Sequence, residues 1–197
     1  MTHQTTTRPG NAPLAAARPD RASAPVWRRD IDTPIGSLVL VASEAGLRAV
    51  MWPGEHPDRL RIDVSPTPEA AAATAVLDVA AAQLAEYFAG DRTEFDVPLD
   101  PIGTTFQLAA WEALRTIPYG QTVSYGEQAR RIGDPRKARA IGAANGRNPI
   151  SIIVPCHRVI GADGSLTGFA GGLDVKAWLL DHERGALFSR PAPSRRR

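Results

Sequence analysis

"SYGEQARRIGDPRKARAIGAANGRNPISIIVPCHRVIG", residues 124–161, decides how the second half of this chain folds. Ser124 followed three residues later by Glu127 is a capping box, and the helix it opens runs to Gly133. Asp134-Pro135 then supplies a cap and a first-turn proline for a second helix over "DPRKARAIGAANG", which Gly146 ends. Two short helices across a tight glycine-containing turn, the second carrying Arg136, Lys137 and Arg139, fit a helix-turn-helix. The apolar run Ile152-Ile153-Val154 that follows predicts a strand, bent by Pro155, with the chain's single cysteine next in line.

Working backwards, Thr104 and Gln107 form another capping box, for a helix whose Phe106, Ala110, Leu114 and Ile117 share a face and which Pro118-Tyr119-Gly120 ends. "DRTEFDVPLDPIG" reads as an extended connector, with a domain boundary near Asp100. Before it, Thr67-Pro68-Glu69 opens a long alanine-rich helix closed by Gly90, with an apolar face of Val76, Leu77, Ala80, Leu84, Tyr87 and Phe88. "SLVLVAS" and "GLRAVMW", joined by turn signals at Thr33-Pro34-Ile35-Gly36 and Glu44-Ala45-Gly46, predict a small antiparallel meander. Residues 1–25 lack any hydrophobic period and read as a disordered leader, and residues 189–197 as a basic tail. Between them lie an N-terminal α/β domain, 26–100, and a C-terminal domain, 101–188, which ends in a helix through Val175, Trp178 and Leu179.

With 197 residues and 43% hydrophobic content the chain can bury one substantial core or two small ones. No apolar stretch approaches the roughly 20 residues that cross a bilayer, and the N-terminus lacks the apolar core of a secretory signal, so the expected location is cytoplasmic. One cysteine excludes an intramolecular disulfide and a multi-cysteine zinc site. A net charge of +2 is compatible with nucleic acid and does not demand it.

Free cysteine is among the most buried residue types, and a packing role is the default reading of Cys156. Its neighbours reverse that reading. Pro155 presents the next side chain at a fixed angle, and His157 and Arg158 place donors and positive charge beside the sulfur, the setting in which a thiol loses its proton. His182 and Glu183 on the last helix are candidates to orient His157 as the third member of a relay; taken alone they read as a solvated helix end. Adjacent Cys156 and His157 without a second cluster make a poor metal site.

"IIVPCHRVIG" closely resembles the active-site segment of O6-methylguanine-DNA methyltransferases. "FDVPLD", "TTFQLAAWEALRTIPYGQTVSYGEQA", "RKARAIGAANGRNPI", "GSLTGFAGG" and "KAWLLDHE" extend the resemblance over about Val26 to Ala186. It implies an α+β fold: a small ribonuclease-H-like antiparallel sheet with a helix, then a mainly helical, winged-helix-like domain. The implied activity is irreversible, single-turnover transfer of the alkyl group of O6-alkylguanine, with O4-alkylthymine as a second candidate substrate, from a flipped-out nucleotide to Cys156. His157 would be the water-mediated base, Glu183 would polarise it, and Asn148 would hold the turn before the active-site strand. Tyr125 would meet the phosphate beside the target, Arg139 would fill the gap left by the guanine, and Arg136, Lys137 and Arg147 would attend the DNA backbone or groove. Ala140, Ala143 and Ala144 would let the second helix lie in the minor groove. Val154, Pro155, Arg158 and Val159, with Gly168, Phe169, Ala170 and Gly171, would line the guanine pocket. Some members have serine where this chain has Ala170, so backbone amides would carry that contact here. Some bind zinc through N-terminal cysteines that this chain lacks, so no metal and no cofactor is expected. The partner would be double-stranded DNA carrying the lesion, met by a monomer able to cluster on DNA, with no membrane involved. A cysteine hydrolase, a sequence-specific regulator and a non-catalytic lesion binder are the alternatives. Turnover, sequence preference and lack of an acceptor thiol would distinguish them respectively.

Overall fold

The computed structural model of the chain describes residue 14 and residues 23–53 and 70–185. The leader other than Leu14, Ser23, Ala24 and Pro25, the Thr67-Pro68-Glu69 helix start and the basic tail lie outside them. Strands β1 (Trp27–Ile31), β2 (Leu38–Ser43) and β3 (Gly46–Met51) form the expected antiparallel meander in the order β1-β2-β3. Residues of β2 are buried on both faces: Leu38, Leu40 and Ala42 enter the main core, while Val41 packs with Val26 and Ala49 behind the sheet. Helix α1 (Ala71–Ala89) covers the core side with Ala73, Val76, Leu77, Ala80, Leu84 and Tyr87. It ends at Gly90, whose φ of 86° suits only glycine without strain and lets its N–H return to Tyr87 O.

β3 is the hinge of the architecture, because its free edge receives two distant segments. Leu47 N–H donates to Pro98 O at 2.7 Å and Leu47 O accepts from Asp100 N–H at 2.8 Å, so the connector lies along the strand. A Cβ at Gly46 would come within 2.7 Å of Pro98 O, which explains a glycine there. Three residues beyond Leu47, Val50 N–H donates to Pro149 O at 2.8 Å, tying the segment before Cys156 to the same edge.

Beneath the connector, Arg48 pairs with Asp100, and Ser43 Oγ donates to the same carboxylate at 2.6 Å; all three side chains are buried. Removing one member of a buried pair strands the other charge, at about 3–5 kcal/mol. Asp100→Ala is therefore expected to lower stability by that amount, whereas Arg48→Met combined with Asp100→Leu recovers most of it. Urea unfolding of the three proteins checks this, and a full-size loss in the double variant would count against it.

The second half contains α2 (Thr105–Arg115), β4 (Val123–Ser124), α3 (Tyr125–Arg131), α4 (Ala138–Asn145), β5 (Val159–Ile160) and α5 (Leu173–Glu183), with β4 and β5 paired in parallel. The Thr104–Gln107 box is present with both bonds. Ser124 caps α3 by accepting from Glu127 N–H, but the Glu127 carboxylate turns forward to pair with Arg130. The expected face of α2 is divided: Leu114 and Ile117 join the main core with Leu108 and Trp111, while Ala110 and Phe106 pack with Ala129, Ile141 and Ala144.

That second, smaller core holds the helix-turn-helix together. Gln128 and Asn145 exchange two amide hydrogen bonds, of 3.1 and 2.8 Å, across it. Asp134 caps as expected, but residues Pro135–Lys137 form a 3-10 turn and the α-helix begins only at Ala138, so the single predicted helix is two pieces.

Candidate active site and nucleic-acid interface

Residues 150–154 are not the regular strand that their apolar character predicts. Ile153 N–H donates to Ser151 O at 3.0 Å, closing a three-residue turn around Ile152, whose φ of 75° is unfavourable for a β-branched residue. Cys156 N–H closes a second such turn onto Val154 O at 2.8 Å, around Pro155. Asn148 braces the whole: its Oδ1 accepts from Ile150 N–H at 3.1 Å and its Nδ2 donates to Val154 O at 2.8 Å. Short-range turn bonds and this side-chain clamp win over strand propensity because the edge of β3 pairs with the segment at one position, Val50.

Cys156, 8% exposed, begins a 3-10 turn through Arg158. His157 is fully buried, with Nε2 2.7 Å from Glu183 Oε1. A carboxylate only accepts, so Nε2 carries the proton and Nδ1 is left as the acceptor. Among the described residues Nδ1 has no hydrogen-bond partner. Burial lowers the His157 pKa from its ordinary value, against the pull of the carboxylate, so the ring is neutral at neutral pH.

Glu183 is far from a solvated helix end. Its Oε1 accepts from His157, from Arg158 Nη2 at 2.9 Å and from Tyr87 OH at 2.9 Å, and its Oε2 from Arg158 Nε at 2.8 Å and Gly120 N–H at 3.0 Å. Burial alone would raise its pKa, but the hydrogen bonds and charges of His157 and Arg158 outweigh that and hold the carboxyl well below the usual range. His182 takes no part in orienting His157; its Nε2 bonds to Tyr87 O at 2.6 Å and its ring stacks on Trp178.

The sequence reading put the charge of Arg158 beside the sulfur. Instead the guanidinium turns to Glu183 and to Ile117 O, 2.6 Å away, so only its backbone is left to line a pocket. A cation that the sequence reading did not weigh, Lys176, buried on α5, is coupled electrostatically to Cys156. Burial lowers its pKa and the charge of Cys156 raises it, and its Nζ donates to Val159 O at 2.6 Å and Thr167 O at 2.8 Å. Sequence reasoning missed Lys176, although a signal existed: Lys176, Leu179, Leu180 and Glu183 occupy one helical stripe, with a charge at each end of an apolar pair.

The loop over this site carries Gly168, Phe169, Ala170 and Gly171. Phe169 meets the His157 ring edge-on at 6.4 Å and Trp52 at 5.5 Å, and a Cβ on Gly171 would lie 2.9 Å from the Trp52 ring. Trp52, from the end of β3, was also missed. Tyr125 opens α3, and its hydroxyl bonds to Thr167 O at 3.3 Å and accepts from Thr167 Oγ1 at 3.1 Å, linking the helix-turn-helix to the loop.

On the outer face of the 3-10 turn and α4, Arg136, Lys137, Arg139, Ala140, Ala143 and Arg147 are all exposed. Ala144, expected among them, is buried in the small core. Asp134 pairs with Arg136 and approaches Lys137, whereas Arg139 and Arg147 form no ion pair with the described residues. Among the described residues no group of three or more His, Cys, Asp or Glu side chains is placed to hold a metal ion, and no helix is long and apolar enough to cross a membrane.

Fold and site together define a helix-turn-helix protein in which the segment after the basic helix brings a thiol and a buried imidazole to a carboxylate on the last helix. Residues 28–101 match the ribonuclease-like domain and residues 105–185 the DNA-binding domain of 6-O-methylguanine DNA methyltransferase. The chain is 51% identical over 156 residues to a methylated-DNA--protein-cysteine methyltransferase of Mycobacterium tuberculosis, covering 79% of this chain and 91% of that protein. One from Methanosarcina acetivorans is 48% identical over 153 residues, covering 77% and 94%. The crystal structure of Mycobacterium tuberculosis OGT in complex with DNA superposes with a TM-score of 0.70 at 48% identity, covering 85% and 96% of the two chains. The chain belongs to the 6-O-methylguanine DNA methyltransferase family.

Proposed function

We infer that the protein reverses alkylation damage in DNA directly, moving the alkyl group of O6-alkylguanine onto Cys156. The observation that carries this reading is the setting of that thiol: next in sequence to a neutral, buried imidazole aimed by a carboxylate, on the segment that follows a basic helix-turn-helix. The thiolate sulfur attacks the alkyl carbon, the carbon–oxygen bond breaks, and its electron pair returns to the guanine, which takes up a proton. The product is a thioether. Unlike a thioester it offers water no carbonyl to attack, so each protein acts once.

In this reading His157 Nδ1 takes the thiol proton through one water, Glu183 holds the ring, and Asn148 holds the cysteine loop. The lesion is buried in a stacked duplex and must be extruded. Val154, Pro155, Val159, the backbone of Arg158 and the loop from Gly168 to Gly171 receive it, with Ala170 contributing only backbone donors. Ala140 and Ala143 let α4 approach the minor groove, and Tyr125 meets the neighbouring phosphate. A boundary near Asp100 separates the two domains, 26–100 and 101–188. We place the protein in the cytoplasm, acting as a monomer that can cluster on DNA; O4-alkylthymine fits the same chemistry.

DNA affinity is expected to fall with salt, since each neutralised phosphate releases about 0.9 of a counterion. Arg147→Ala should flatten the slope of log affinity against log salt by about one, because Arg147 forms no ion pair with the described residues. An unchanged slope in a titration from low to moderate salt would remove Arg147 from the interface.

If Arg139 occupies the gap left by the guanine, its truncation matters only where a base pair and stack have been broken, a cost of about a few kcal/mol. Arg139→Ala should slow repair of duplex by about tenfold or more and repair of a single-stranded oligonucleotide much less. Single-turnover rates on both forms, at saturating protein, decide it; equal losses would make Arg139 an ordinary phosphate contact.

A further inference from the structure

All the residues assigned to chemistry above come from the second half of the chain, yet one donor to the relay does not. Tyr87 lies on α1, fully buried, and its hydroxyl reaches Glu183 Oε1, the same oxygen that accepts from His157. The ring is fixed on every side: by Phe88 and Phe95 from its own half, and by Tyr119 and His182 from the other. His182 Nε2 also bonds to the Tyr87 carbonyl, so α1 and α5 are joined at this one residue through both main chain and side chain.

We propose that Tyr87 is a positioning residue for alkyl transfer, through which the N-terminal domain sets the basicity of His157 by way of Glu183. The proposal rests on His157 and Glu183 acting as the relay described above. Its physical basis is competition for one oxygen. Tyr87, Arg158 and His157 all donate to Oε1, and each donor draws off negative charge that would otherwise hold a proton on the imidazole. A phenol can do this without risk of ionising: burial, and next the charge of Glu183, raise the Tyr87 pKa well above its ordinary value. The other groups facing the relay are Arg158 and Cys156 on the 3-10 turn, Lys176 on α5 and Tyr119 after α2. All of them remain in the chain when the Tyr87 oxygen is removed.

Tyr87→Phe deletes that oxygen and keeps the ring contacts. More charge then remains on Oε1, the imidazolium is better held, and the His157 midpoint moves up by about half a pH unit or more. Two readouts on the full chain test this: an NMR titration of the His157 ring in unreacted protein, and single-turnover methyl transfer from O6-methylguanine duplex across pH. Both midpoints should move up together, with the high-pH plateau within about threefold. A merely structural role would lower the melting temperature and leave both midpoints in place, and that result overturns the proposal. Site-specific 3-fluorotyrosine at position 87, a stronger donor in an intact fold, should move the ring midpoint down; no movement also counts against it. If the unsubstituted protein transfers no methyl group, the alkyl-transfer reading falls, and the ring titration still reports on Tyr87.

Discussion

Cys156→Ser is expected to abolish methyl transfer, by roughly a thousandfold or more, and to leave DNA affinity within about twofold. Serine keeps the size and the turn geometry at a position whose backbone is already fixed by Val154 O and by the Asn148 clamp. It cannot supply a thiolate, because a hydroxyl holds its proton far more tightly than a thiol even beside a buried base. Affinity is spared because the exposed cations lie on the outer face of the 3-10 turn and α4 and at Arg147 just beyond it, whereas Cys156 is nearly buried. Binding titrations with lesion-bearing duplex, run beside rate measurements, separate the two. A serine variant that still accumulates methyl groups would place the acceptor elsewhere.

Glu183→Gln should have the second-largest effect, on rate and stability together. The buried guanidinium of Arg158 would lose its counter-charge, and a carboxamide would offer donors to a site where Tyr87, Gly120 and Arg158 already donate. The destabilisation is about 3–5 kcal/mol. His157→Ala removes the base and should slow transfer by about 10²–10⁴-fold. Because Glu183 acts through His157, the double variant should be no slower than the slower single variant. Multiplied losses would mean that the two residues act separately.

The pH dependence follows from the signs of the shifts. The folded-state pKa of Glu183 lies below its unfolded value, so its contribution to stability is present above the ordinary carboxylate range and is lost as pH falls toward the folded value. The gap in melting temperature between the unsubstituted protein and Glu183→Gln should therefore narrow below about pH 4. His157, also lowered, favours the folded state less once pH drops below its unfolded value, so acidification weakens the fold through both partners.

Local signals in the sequence carried far. The meander, the capping box at Thr104, the Ser124 cap, the glycine stop of α1 and the helix-turn-helix all follow from residues within a few positions of each other and are present, although Glu127 pairs with Arg130 and leaves the Ser124 box half made. The misreadings come from contacts distant in sequence. Ile152 and Val154 have strand character, but β3 can pair with their segment only at Ile150, and Asn148 folds the rest back. Arg158 is two residues from Cys156 in sequence and still turns away, because a carboxylate 25 residues later, buried beside it, competes for its charge more strongly than a thiol. Lys176, which the sequence reading missed, is a cation coupled to the thiol from a helix 20 residues further on. Tyr87 was legible as an apolar helix face; nothing local showed that its hydroxyl ends 96 residues away.

The central claim is that one alkyl group moves from guanine to Cys156 and stays there. Intact-mass and peptide analysis of the protein after incubation with excess duplex containing O6-methylguanine tests it most directly. The account predicts a gain of one CH2 unit per chain, located on the peptide carrying Cys156, with guanine restored in an equal amount of DNA and no further reaction. Continued turnover, or a mass gain on any other residue, would contradict it.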